Sequence, residues 1–333
     1  MKKALIYSLA LAAMFNLCSC GKQLNDAPQS DSGKAISFDN VATKAEFSDI
    51  KNGGFGVWAV IDNSEVRNHV LMNNQYVEYK GGKWTYSPLR YWVPETEFNF
   101  IATYPYDSEG LYYTFDSNNS ALKLAVTKTP SQVDYLIATN TVDTSDESFD
   151  GTKAVNLDFQ HILTSVGMKI WRDGGKHQND DIRITKVTLS NIRKDGTYSS
   201  NTDQWTLSNQ KLTLEKIYEG GSDTIGAAQV NDNGTLTTGG VPADPFGDVM
   251  LIPQTLDASM VSLKILYELK RQNAVDWEQA ELETFLPNVT WEANRRYTYN
   301  VVLSSVTDIT IYYLQTKVDP WGTPQVGGTV IIK

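Results

Sequence analysis

Apolar residues in this chain recur at every second position. In VSLKILYELK, Val261, Leu263, Ile265, Tyr267 and Leu269 fall on one side of an extended backbone, with Ser262, Lys264, Glu268 and Lys270 among those on the other. RYTYNVVL repeats the pattern with Tyr297, Tyr299, Val301 and Leu303, and ALKLAV, KLTLEKIY and TDITIYY continue it. Successive side chains of a strand point to opposite faces, so this period predicts half-buried β-strands. Turn formers separate the runs: KNGG, KGGK, DSEG, DSNNS, RDGG, RKDG, YEGG, NDNG and TTGG. Their Gly, Asn and Asp residues tolerate the positive φ that tight hairpins need. No segment after residue 20 carries a helical stripe; the nearest, VDWEQAELETFL, places Trp277, Ala280 and Leu282 out of helical register. The expectation is an all-β protein.

About 300 residues of such pattern exceed one small sandwich, which predicts two domains. The sharpest polar interval is residues 140–153, NTVDTSDESFDGTK, so the boundary is expected near residue 150, dividing 35–150 from 151–333. Beyond it, Val155, Leu157 and Phe159 share one parity, whereas Ile162, Val166, Met168 and Ile170 share the other. One residue of slip turns every side chain over, so a bulge or bend is expected near His161.

The amino terminus departs from this pattern. MKKALIYSLALAAMF sets two lysines before an apolar run too short to span a bilayer permanently, the layout of a secretory signal. The run ends in LCSC, which resembles the lipobox of bacterial lipoproteins, where cleavage precedes a cysteine that receives acyl chains. Cys20 fits, with Leu17 three places earlier and Ser19 directly before it; Cys18 does not, because Leu17 stands where a small residue is needed. A Cys-x-Cys disulfide is strained, and no further Cys or His cluster completes a zinc site. Residues 1–19 therefore read as a lipoprotein signal peptide, Cys20 as the lipidation site, and residues 20–34 as a flexible polar tether. The formal net charge is −10, and losing Lys2 and Lys3 makes it more negative. An acidic chain without a basic cluster is a poor nucleic-acid partner.

Candidate chemistry is sparse. Of the three histidines, His69 and His177 sit in turn-like surroundings, and His161 sits at the parity switch, where its ring is placed to bridge backbone groups. No serine occupies a Gly-x-Ser-x-Gly turn, and the mature chain has no cysteine nucleophile. Asp146, Ser148, Asp150 and Gly151 match the opening of an EF-hand calcium loop, but Leu157 stands where the bidentate glutamate belongs. An acidic linker accounts for them better, and neither a metal nor a cofactor is expected. Residues 84–106 are dense in aromatics, WTYSPLRYWVPETEFNFIATYPY, read as core rather than as a row of glycan-stacking rings.

Taken in order, YWVPETEFNFIATYPY, LDFQHILTSVGMKI, VMLIPQTL, VTWEANRRYTYNVVL and KVDPWG resemble the fimbrillin-like lipoproteins of the Bacteroidales. The resemblance implies two tandem transthyretin-like β-sandwiches and a non-enzymatic structural or adhesive subunit of cell-surface fimbriae. It implies an outer-membrane lipoprotein whose partners are other fimbrial subunits and, for an adhesin, a host or bacterial surface ligand. A surface glycan-binding lipoprotein is the alternative reading. The resemblance further implies assembly by strand exchange: a protease specific for Arg or Lys removes the first strand, and a neighbour's strand fills the groove. Here the first strand reads as residues 36–38 and the basic site as Lys44, where the family more usually has arginine. At the other end, residues 326–333 hold Val326, Val330, Ile331 and Ile332, an apolar tail that either closes its own sheet or serves as the donor strand.

Overall fold

The computed structural model describes residues 33–43, 49–129, 133–175, 179–230, 236–257, 260–303, 309–317 and 329–330. Among these, strands dominate; the helical exceptions are a short α-helix, Asp49–Gly53, and a 3-10 turn, Ser117–Asn119. Cys20 and Lys44 lie outside the described residues, as do Val326, Ile331 and Ile332.

Seven strands form the first large sheet, in the spatial order Phe38–Thr43, Val155–His161, Leu136–Asp143, Glu97–Tyr104, Phe55–Asp62, His69–Lys80 and Lys83–Thr85. The sheet curls over one core. Phe38, on an edge strand, meets the rings of Phe55 and Phe100 at 6.1 and 6.2 Å although their strands lie several positions away. A four-stranded layer, Gln204–Leu207, Gly196–Ser199, Ala121–Val126 and Leu111–Asp116, covers the opposite face. There Trp58, Ile101 and Ile137 pack with Leu122, Leu124 and Tyr198. Phe55–Asp62 is thus covered on both faces, which is why FGVWAVI is continuously apolar instead of alternating.

The second large core lies between two further sheets. One runs Lys211–Ile217, Asp181–Arg193, Ser262–Lys270, Glu278–Phe285. The other centres on the parallel pair Thr164–Asp173 and Arg295–Leu303, continues through Ile309–Lys317, and ends at Thr329–Val330. In Ser262–Lys270 every second residue is buried, as the alternation predicts. The outward residues of the first of these sheets carry cross-strand ion pairs, Lys186–Glu215 at 2.8 Å and Lys264–Glu281 at 2.6 Å.

The polar interval at residues 140–153 is not where the first sheet ends. It connects Leu136–Asp143 to Val155–His161, which are neighbours in one sheet, so the first core runs past residue 150 as far as His161. Polarity there marks a solvent-exposed connection and says nothing about which strands it joins. The hairpin of Gly196–Ser199 and Gln204–Leu207 also belongs to the first half, pairing with Ala121–Val126. The parity switch has a larger cause than a bulge. At Ile162 and Leu163 the chain leaves one sheet, and at Thr164 it enters another, so the buried set changes sides. KNGG, read from sequence as a hairpin turn, instead closes the helix: Gly54 donates its N–H to the Ile50 carbonyl at 2.9 Å with φ +65°.

Candidate functional site

The first strand is the element on which the sequence places function. It runs Phe38–Thr43, longer than residues 36–38, and among the described residues pairs in parallel with Val155–His161 at the edge of the sheet. Residues 34–38 reach it through a channel of backbone bonds. Trp92 N–H donates to the Lys34 carbonyl at 3.2 Å, Ile36 N–H to Arg90 at 2.8 Å, and Val155 N–H to Ser37 at 2.8 Å. The Tyr86 hydroxyl donates to the Ile36 carbonyl at 2.8 Å, and burial pushes its pKa up to about 12. Ile36 and Phe38 are 1% and 4% exposed, and Phe38 stands edge-on to Tyr86 at 5.7 Å. Two apolar anchors and a set of amide bonds therefore hold this first described segment in the sheet. Beside its entry, Lys34, Trp92, Phe149 and Asp150 line a cleft of about 310 Å³.

Of the aromatics of residues 84–106, Trp84, Trp92, Phe98, Phe100 and Tyr104 belong to the core behind this strand, whereas Tyr106 is exposed and packs against Tyr76 at 4.7 Å. Trp84 and Trp92 are 9% and 5% exposed, and Phe98 and Phe100 stack at 6.0 Å inside. The buried rings form no outward-facing row. The acidic residues of the connection are engaged locally: Asp146 accepts the Ser148 N–H at 2.8 Å, and Asp150 accepts that of Thr152 at 2.7 Å. The Ser148 N–H holds the Asp146 carboxyl below its ordinary pKa, and the Thr152 hydroxyl, donating to Asp150 at 2.6 Å, together with the Thr152 N–H does the same for Asp150. Among the described residues no three His, Cys, Asp or Glu side chains are grouped to hold a metal ion.

His161 bonds through Nδ1 to the Asp134 carboxylate, and both side chains are almost fully buried. Burial pushes the Asp134 carboxyl up, partly offset by the contact with His161. The pair clasps the chain where it passes from one sheet to the next, and Ile162 N–H donates to the Tyr135 carbonyl beside it at 3.0 Å. A substrate has no access to groups buried this deeply, so their role is structural. Sequence reading missed Asp134, since nothing in SQVDYL marks a partner for a distant histidine. At the far end, Thr329–Val330 pairs with Tyr312 and Ile311 on the edge of the second half.

Stacked β-layers, a terminal edge strand with buried anchors and the burial of the His–carboxylate pair define a scaffold protein whose candidate site is a sheet edge. The chain belongs to the fimbrillin-like family, whose model matches residues 40–321. A fimbrial protein from Bacteroides vulgatus shares its fold at TM-score 0.66 and 18% identity, covering 86% of this chain and 99% of that one. A putative cell adhesion protein from Bacteroides uniformis aligns at TM-score 0.49 and 16% identity, over 87% of this chain and 100% of that one. Another from Bacteroides ovatus aligns at TM-score 0.45 and 18% identity, over 90% and 98%. No curated protein matches the chain.

Proposed function

We propose that this chain is a non-enzymatic structural or adhesive subunit of cell-surface fimbriae, anchored as an outer-membrane lipoprotein through Cys20 and assembled by strand exchange. The observation that carries the reading is the placement of Phe38–Thr43. It is the first described strand, paired among the described residues with Val155–His161, with Ile36 and Phe38 sunk into the core. Cleavage after Lys44 releases it, leaving the outer edge of Val155–His161 unpaired and the rings of Phe55, Tyr86 and Phe100 uncovered. An apolar strand from a neighbouring subunit satisfies both needs. Residues 326–333, with Val326, Val330, Ile331 and Ile332, have the composition of that donor.

The test uses a synthetic peptide of residues 323–333. A chain that begins at Ala45 should bind the peptide, and the intact chain, with its own first strand in place, should not. Equal binding by both chains, or binding by neither, rejects strand exchange at this groove. The burial of Trp84, Trp92, Phe98 and Phe100 takes those rings out of any glycan-stacking platform, which weighs against the glycan-binding alternative.

A further inference from the structure

A second free edge lies in the first half, at Leu111–Asp116, the outer strand of the four-stranded layer. Its hydrogen-bond phase follows from two observations. Thr127 N–H donates to the Gly110 carbonyl at 2.9 Å, and the ladder runs Leu111 opposite Val126, so residues 112, 114 and 116 face Ala121–Val126. On the other side of Ala121–Val126, Ser200 N–H donates to the Leu122 carbonyl at 2.9 Å, so residues 122, 124 and 126 face Gly196–Ser199 and leave 121, 123 and 125 for Leu111–Asp116. The two ladders agree. The N–H and C=O groups of Tyr113 and Phe115 consequently point away from the sheet, where among the described residues no further strand pairs with them.

This edge lacks the usual protection. The edge strand Glu278–Phe285 carries Glu278, Glu281 and Glu283, and the edge strand Lys211–Ile217 carries Lys211, Glu215 and Lys216. LYYTFD has no lysine, no proline, no bulge and one charge, Asp116, at its end. Tyr113 and Phe115 lie on the inner side against Trp58, at 5.0 and 6.4 Å, and stay half-buried at the edge of the layer, which no described strand extends. On the outer side Tyr112 is 63% exposed.

We propose that Leu111–Asp116 is a self-pairing interface, at which two copies of this chain join edge to edge, antiparallel, about a twofold axis through Thr114. The strand is complementary to itself in this register. Tyr113 of one copy faces Phe115 of the other, and since both direct their backbone groups outward, each donates and accepts one hydrogen bond. The inner aromatic faces of the two copies continue side by side. The two Asp116 carboxylates lie at opposite ends, each across from the other copy's Tyr112, so no like charges meet. A single patch that pairs with itself closes after two subunits. The inference does not depend on strand exchange, because it uses the intact chain and a different edge.

Sedimentation of the full chain carrying Cys18→Ser and Cys20→Ser tests it. The protein should be a dimer at high micromolar concentration. Thr114→Lys, at an exposed position whose side chain meets its own counterpart on the axis, should yield a monomer with an unchanged melting temperature. In the same background Thr114→Cys should form a cross-linked dimer on mild oxidation, since directly opposed residues of a non-hydrogen-bonded pair lie about 4.5 Å apart at Cα, within disulfide reach. A monomeric parent protein overturns the proposal, and so does a Thr114→Lys variant that stays dimeric. Cross-linking of Thr114→Cys no faster than that of Glu283→Cys, on another edge strand, overturns it as well.

Discussion

Replacing His161 with alanine removes one half of the buried clasp between the two parts of the chain. The imidazole and the Asp134 carboxylate are 2% and 3% exposed as side chains, so water cannot take the place of either. Oδ2 of Asp134 is the atom that meets His161. Without the ring, the carboxylate keeps its desolvation penalty and loses the hydrogen bond to Oδ2. Breaking a buried pair from one side costs about 3–5 kcal/mol, and for a protein of this size that lowers the melting temperature by roughly 10 °C. The pH dependence has a definite sign. Burial raises the Asp134 pKa in the folded state, and loss of His161 raises it further. The folded variant is then least impaired where Asp134 is protonated, below the ordinary carboxylate range, and its deficit grows as pH rises through the raised pKa. Thermal melts of parent and His161→Ala, followed by far-ultraviolet circular dichroism between pH 4 and pH 8, read both effects. The double variant Asp134→Leu, His161→Phe should recover most of the loss, because it leaves no buried charge. A His161→Ala protein that melts with the parent at neutral pH, or whose deficit grows on acidification, refutes the reasoning.

Three further outcomes are expected. Trp58→Ala, at a residue 2% exposed between the two layers of the first half, should cost about 3–5 kcal/mol in denaturant unfolding. Gly54→Ala should destabilise by more than 1 kcal/mol, about the scale of left-handed strain, because an added Cβ meets Tyr76 Cε2 at 2.5 Å and the Val77 carbonyl at 2.6 Å as well. Chemical denaturation against Gly81→Ala, where the space is open, separates the clash from the strain. Cys20→Ala should abolish acylation of the chain in metabolic labelling with palmitate while Cys18→Ala leaves it intact, and the reverse result moves the cleavage register.

The strands themselves were legible from the chain, because period-two alternation is a local consequence of one face meeting a core. Ser262–Lys270 and Val155–His161 bury every second residue as their sequences require, and Gly81 and Gly82 take the positive φ of the hairpin that KGGK predicts. The burial of the aromatics around Trp92 was legible too, since rings of that size are seldom left in water. Partners across the fold were not. Nothing in LDFQHILTS states that His161 ends one sheet, that Thr164 begins another, or that Asp134 waits opposite the ring. The same polar stretch at residues 140–153 reads as a linker or as a loop between adjacent strands, and only pairing in space assigns it to the loop. The local period sets which side of a strand is apolar. Which strand comes to lie beside it, and which edge is left unpaired, depends on contacts between distant residues that no local pattern encodes.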